Sequence, residues 1–257
     1  MMRSHEGYWD PQTSTVDWCE SNYTVTRYCA EAINASTNLL FLYLGLKGIA
    51  KYRHDPILLI SYIGYLTVGI GSFLFHATLK YSMQLLDELP MIWTASILLY
   101  ASLSRSVAYP ARFSTGITVA TVGITVFYLY FAIPEILFIS FGVLLVAVLI
   151  VNLLKKTSES PDKNIVSKMK WIGIPMLAFG FACWMVDRHF CETLQAWREA
   201  VGQPWATLLE LHGWWHLAMG NCCHYAILWV VRLENGNKYR MTWKIFPWLE
   251  PVEVKQE

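Results

Sequence analysis

His76, His212 and His216 are the residues whose type and placement point most directly to chemistry. His212-Gly-Trp-Trp-His216 has an i, i+4 spacing, which puts both rings on one helix face about 6 Å apart along the axis. His76 lies near the end of an apolar stretch that opens at Ile57, about 29 Å along a helix from that start. A second apolar helix entering from the opposite side at Leu211 brings all three rings to one depth. Asp87 is almost as far as His76 from the turn expected near Tyr81 and Ser82, and Ser72 lies one helical turn below His76 on the same face. Pro90 removes the helical donor for the Leu86 carbonyl and is expected to bend the chain beside this set. Three His without a fourth strong protein ligand form the pattern of a catalytic zinc with an open position for water. Asp87 then reads as a general base or supporting carboxylate, and Ser72 as a hydroxyl donor to a developing oxyanion. A single His in such a stretch is more often a satisfied helix-end residue. Several polar groups at one depth in hydrocarbon call for a shared partner.

Asp17, Glu20, Asn22 and Glu31, around the backbone of Trp18, form a second, oxygen-rich cluster whose ligand types suit a hard cation such as calcium. By spacing alone it matches no EF-hand loop and reads as a solvated acidic segment, with Glu31 equally suited to a helix start.

The elements that must position these residues follow from composition. Of 257 residues, 55% are hydrophobic and 15% charged, against roughly 25% charged in soluble domains. Disorder, collagen and coiled coil are excluded by scattered Gly and Pro and an aromatic content of 15%. The formal net charge of +1 offers no basic excess for nucleic acid. Lipids are the expected surroundings.

Stretches lacking Asp, Glu, Lys and Arg predict seven membrane-crossing helices: Ile33–Leu46, Ile57–Leu79, Leu89–Ser104, Phe113–Pro134, Ile136–Leu154, Trp171–Val186 and Leu211–Val231. The first spans only if Lys47 and Lys51 snorkel. No cleavable signal is expected before it, since residues 1–32 are polar and acidic. The predicted fold is thus an all-α seven-transmembrane bundle, with 1–32 as an N-terminal segment, 33–232 as the bundle and 233–257 as a tail. Placing the tail in the cytosol puts 15 of the 20 Lys and Arg inside, with Arg3, Arg27, Lys80, Arg188 and Arg198 outside, so the N-terminus is expected to be lumenal.

Cys19 and Cys191 fall on that oxidising face and could pair, although Cys29 is an alternative partner. Cys183, Cys222 and Cys223 read as packing residues. Asn22-Tyr-Thr and Asn34-Ala-Ser are sequons, the second expected to sit too near the membrane for modification. Asp187 reads as a helix cap, and Trp214, Trp215, Trp229, Trp243 and Trp248 as an interfacial belt. His5, His54, His189 and His224 lack companions at ligand spacing.

Glu6-Gly-Tyr-Trp9, the run from Thr13 to Tyr23, Gly71-Ser-Phe-Leu-Phe-His76, the run from Leu79 to Met91, Phe190-Cys-Glu192 and His212-Gly-Trp-Trp-His216 together resemble the alkaline ceramidase family, in particular its type 3, plant and fungal members. The likeness covers nearly the whole chain, with Gly213 at a position where members vary. It implies a seven-helix intramembrane amidase of the endoplasmic reticulum and Golgi that hydrolyses ceramide or phytoceramide to a sphingoid base and a fatty acid. It further implies zinc on His76, His212 and His216, catalytic roles for Asp87 and Ser72, and calcium on Asp17, the Trp18 carbonyl, Glu20, Asn22 and Glu31. It also implies a Cys19–Cys191 disulfide; a monomer is expected. Two rivals stand beside it. A receptor of the adiponectin-receptor type would place its N-terminus in the cytosol, against the charge count. A metal transporter would carry polar ligands at several depths, which predicts a polar face continuing below Ser72.

Overall fold

The computed structural model describes residues 6–103, 108, 110–154, 163–234, 239–245 and 248–253. Ser104, the expected end of the third stretch, lies outside them, as do His5, Arg3, Arg105, Lys155, Lys156, Lys238 and Lys255. Every apolar stretch is helical. The first is broken at Asn38 into α1 (Ala32–Thr37) and α2 (Leu39–Tyr52), followed by α3 (Pro56–Thr78), α4 (Tyr81–Leu103), α5 (Pro110–Phe131), α6 (Pro134–Leu154) and α7 (Lys163–His189). A short α8 (Cys191–Val201) and a 3-10 turn (Trp205–Leu209) precede α9 (Leu211–Glu234). The tail is not featureless: β1 (Tyr239–Ile245) pairs antiparallel with β2 (Trp248–Glu253), pairing Tyr239 with Glu253 and Trp243 with Leu249. This corrects the all-α expectation. Windows of about 20 residues register spans, whereas short strands of alternating character do not reach that length.

Local chemistry sets the element ends. Pro56 occupies the first turn of α3, and the Asp55 side chain accepts from the Ile57 and Leu58 amides, both at 3.1 Å. At its other end Leu79 turns left-handed at φ 49°. The carbonyls exposed there find donors in the N-terminal segment: Glu31 N donates to His76 O at 2.9 Å, Ala30 N to Ala77 O at 3.0 Å, and Thr13 and Ser14 N to Leu79 O. The segment is therefore fastened over the upper ends of α3 and α4, with Tyr23, Ala30, Phe75 and Leu79 as its own core. Pro90 lies inside α4, and the Leu86 carbonyl that it frees lies against Gly71 of α3, where no side chain intervenes.

Among the described residues α3, α5 and α6 are long and apolar enough to cross a membrane. Val119, Val122 and Val126 on α5 and Ile139 and Val143 on α6 are exposed. Apolar outer faces of this extent belong in lipid, and the chain is a membrane protein. Two belt expectations are corrected. Trp229 is buried in the core with Leu228 and Val230, and Trp215 lines an internal cavity.

Candidate metal centre and active site

The rings of His76, His212 and His216 are buried and each offers one nitrogen, all three within 4.8 Å of one another. Each ring is oriented by a different element. His76 Nδ1 bonds the Glu31 carboxylate, leaving Nε2 buried without a partner. His216 Nδ1 lies 3.1 Å from the Asn34 carbonyl and 2.9 Å from the Thr37 hydroxyl, so Nδ1–H is committed to α1 and Nε2 carries the free lone pair. His212 stacks on the Trp18 ring at 3.8 Å between centroids, and its Nδ1 has no partner. Buried polar atoms are rarely left unpaired. Two orphaned ring nitrogens beside a third committed imidazole fit a divalent transition ion.

Ser72 and Asp87 are brought to the same place, the Ser72 hydroxyl bonding the Asp87 carboxylate. Both line, with His212 and His216, a cavity of about 520 Å³ whose remaining wall is largely apolar, including Phe75, Met91, Phe141, Leu145 and Leu177. Glu88 also faces it and is held by Gln84 Nε2 at 3.0 Å and by the Tyr128 hydroxyl. Gln84 in turn accepts from Thr15 N at 2.8 Å.

The oxygen-rich cluster is gathered less tightly. Among the described residues the His set is the one group of three or more His, Cys, Asp or Glu side chains whose ligand atoms converge; the carboxylates of Asp17, Glu20 and Glu31 do not. Glu20 caps α1 instead, accepting from Ile33 and Asn34 N, both at 2.8 Å. Asn22 bonds Asp17, while Asn22 Oδ1 is buried with no partner. Glu31 is fully buried, accepts from Trp18 N at 3.4 Å and from Asn34 Nδ2 at 3.1 Å, and touches a His ligand directly. Burial raises the Glu31 carboxyl well above its ordinary range and pushes Glu20 up to about 7. Asn34 is itself buried, so its sequon is inaccessible.

Cys19 and Cys191 are joined in a disulfide spanning 172 residues, and Cys29 is free. Buried Arg198 donates to the Cys19 carbonyl at 2.7 Å and pairs with Glu210 at 3.0 Å. Asp187 is a cap, as its type suggests, but for α9: Oδ1 accepts from His212 N at 3.2 Å and Oδ2 from Cys19 N at 3.1 Å. Replacing Cys19 by Ser should cost about 2–5 kcal/mol of stability and is read as a lowered thermal midpoint. An unchanged midpoint would mean that Arg198 and Asp187 suffice to hold the segment.

The polar face of α3 does continue below Ser72. The Tyr65 hydroxyl donates to the Gly220 carbonyl at 3.1 Å, and the Tyr62 hydroxyl lies 3.4 Å from His224 Nδ1. No second converging ligand set accompanies it among the described residues, as a transport path would need.

The sequence reading missed the partners of the ligands: Asn34 and Thr37 on His216, Glu31 on His76 and the Trp18 ring on His212. The i, i+3, i+4 spacing of Asn34, Thr37 and Asn38 at the start of the first apolar stretch was the available signal. The family model described as Ceramidase matches residues 10–253. The chain is 32% identical to alkaline ceramidase 3 of Mus musculus over 84% of its length and 82% of that protein's. It is 33% identical to alkaline ceramidase YPC1 of Saccharomyces cerevisiae, over 94% and 85%. Alkaline ceramidase of Arabidopsis thaliana matches at 30% identity over 82% and 80%. The buried histidine set, the Ser72–Asp87 pair and this likeness along most of the chain lead to one conclusion: the chain belongs to the ceramidase family and is a ceramidase hydrolase.

Proposed function

We propose that the protein is a zinc-dependent intramembrane amidase that cleaves the amide bond of ceramides to a sphingoid base and a free fatty acid. The observation that carries this reading is the location of His212, His216 and the Ser72–Asp87 pair in the wall of an otherwise apolar cavity, with His76 converging on the same two His. A lipid amide matches both parts. Zinc held by His76, His212 and His216 would supply Lewis acidity for the scissile carbonyl and for water. Asp87 takes a proton from the attacking water and returns it to the leaving amine, so one water is consumed per amide cleaved. Ser72 donates a hydrogen bond to the carbonyl oxygen as its charge grows. Glu31 and the Asn34 carbonyl hold His76 and His216 in register through Nδ1. Incubating the purified protein with ceramides, phytoceramides and other N-acyl lipids, with products read by mass, tests this. Failure to release a sphingoid base from any ceramide would overturn it.

The proposed topology has seven spans, the N-terminus lumenal and the tail, with its hairpin, cytosolic, in the endoplasmic reticulum or Golgi. The basic-residue count supports it, as does a Cys19–Cys191 bond at the end covered by the N-terminal segment. Both weigh against a receptor of the reverse orientation. The cavity and His set are complete within one chain, so a monomer suffices.

Calcium is proposed on Asp17, the Trp18 carbonyl, Glu20, Asn22 and Glu31, supported by the donor types and the orphaned Asn22 Oδ1. Its affinity should rise with pH. Glu20, raised to about 7, and Glu31, raised well above its ordinary range, must lose their protons to bind the ion, so affinity increases with pH through that value. The stability sign agrees: a carboxyl with its folded pKa above the unfolded value costs the ion-free protein stability as pH rises towards 7, and calcium restores it. The thermal-midpoint gap between calcium and chelator should therefore be wider at alkaline than at mildly acidic pH. An equal gap would remove the cluster as an ion site.

A further inference from the structure

The cavity below the histidines continues beyond its main chamber. A second chamber of about 50 Å³ lies towards the opposite end of the bundle, lined by Val148, Asn152, Gly173, Tyr225 and Trp229 among others. The two share Leu98, Leu145, Leu149, Leu177 and Cys223, which make the ring between them. At the far side Asn152 Oδ1 and the Tyr225 hydroxyl are buried without hydrogen-bond partners, a polar stop to an apolar passage.

The lengths are those of one lipid chain. From His216 to Cys223 is seven residues of α9, about 10 Å, and from His216 to Trp229 is thirteen, about 20 Å. A hydrocarbon core about 30 Å thick holds two layers of chains, so one chain spans about 15 Å. Along α9 the shared wall lies about 10 Å from His216 and the small chamber carries the lining on to about 20 Å, so the two chambers bracket the span of one chain. Transfer from bilayer to this passage gains little by burial, because lipid is as apolar as the wall. Fit decides instead: a chain too short leaves a void at the ring, and one too long presses methylenes onto the unpaired Asn152 and Tyr225 groups.

We propose that the ring of Leu98, Leu145, Leu149, Leu177 and Cys223 and the small chamber beyond it measure one hydrocarbon tail of the substrate, which threads the ring and ends against Asn152 and Tyr225. This ruler rests on the amidase reading above. A Cβ at Gly173 would meet Leu149 Cδ1 at 3.7 Å and nothing else within 4 Å, so a Gly173→Leu side chain starts without a clash at a position that lines the small chamber. Leu149→Ala widens the ring. The measurement is the ratio of kcat/KM for a long over a short chain, taken in two series: acyl length varied on a fixed sphingoid base, and base length varied on a fixed acyl group. Each ratio comes from one preparation, so a partly unfolded fraction cancels. Gly173→Leu should lower the ratio about tenfold in one series, and Leu149→Ala should raise it in the same series, which identifies the tail in the passage. Unchanged ratios in both series for both variants, with wild-type protein hydrolysing ceramide, would overturn the ruler and leave the amidase standing. A wild-type protein inert towards every ceramide would remove both.

Discussion

His216→Ala protein, purified and folded, should hydrolyse ceramide at least about 10³-fold more slowly than wild type and should lose bound zinc in proportion. His216 is committed through Nδ1 to the Asn34 carbonyl and the Thr37 hydroxyl, so its remaining nitrogen has no role in holding the helices together. Alanine there removes one of three converging nitrogens and leaves His76 Nε2 and His212 Nδ1 as orphans in a buried site. Two His bind a divalent ion far less well than three, so metal content measured beside turnover separates loss of the ion from loss of fold. Asp87→Asn is the companion variant: it keeps the shape, removes the proton acceptor, and should stop turnover while zinc stays bound. Wild-type rates in either protein would defeat the assignment.

The second large effect is expected at a residue that has no side chain. Gly71→Ala should cut kcat about 10²-fold and destabilise the protein by about 1–3 kcal/mol. A Cβ at Gly71 would lie 2.2 Å from the Leu86 carbonyl oxygen and 2.8 Å from the Asp87 amide, both backbone atoms that no rotamer change can move. Relief requires α3 and α4 to part by about 1 Å, the gap between that clash and an ordinary carbon–oxygen contact. Ser72 and Asp87 are the next residues along the two helices, so the opening separates the pair that handles the proton. Gly123→Ala on α5, where a Cβ meets nothing within 4 Å and which lines neither chamber, is the control. Near-normal kcat in Gly71→Ala would show that this contact does not set the geometry of the pair.

The sequence carried the helices and the three His well, for a physical reason. Long apolar runs have few alternatives to spanning helices, and i, i+4 spacing fixes two rings on one face whatever surrounds them. His76 and Asp87 could be placed at one depth because a tight turn between α3 and α4 makes residue counting equivalent to distance. What remained illegible depends on pairing across the chain. Glu31 is 45 residues from His76, and nothing local says that its carboxylate reaches a buried imidazole. Glu20 likewise looked like a free carboxylate until the amides of Ile33 and Asn34 claimed it. Trp215 and Trp229 were assigned to a lipid belt because residue type gives no azimuth on a helix that is apolar all round. α8 and the hairpin escaped notice because each is too short for a search tuned to membrane thickness.

The covering formed by residues 6–31 bears on how the molecule is made. Besides its bonds to the ends of α3 and α4, the covering is held by Cys191, Arg198, Asp187 and the first turn of α9, which emerge from synthesis after most of the bundle. The disulfide can therefore close only after α7 is made, and a nascent chain lacking α9 has one of the three converging imidazoles. The converging imidazole set is thus completed only when the last of the described helices is in place.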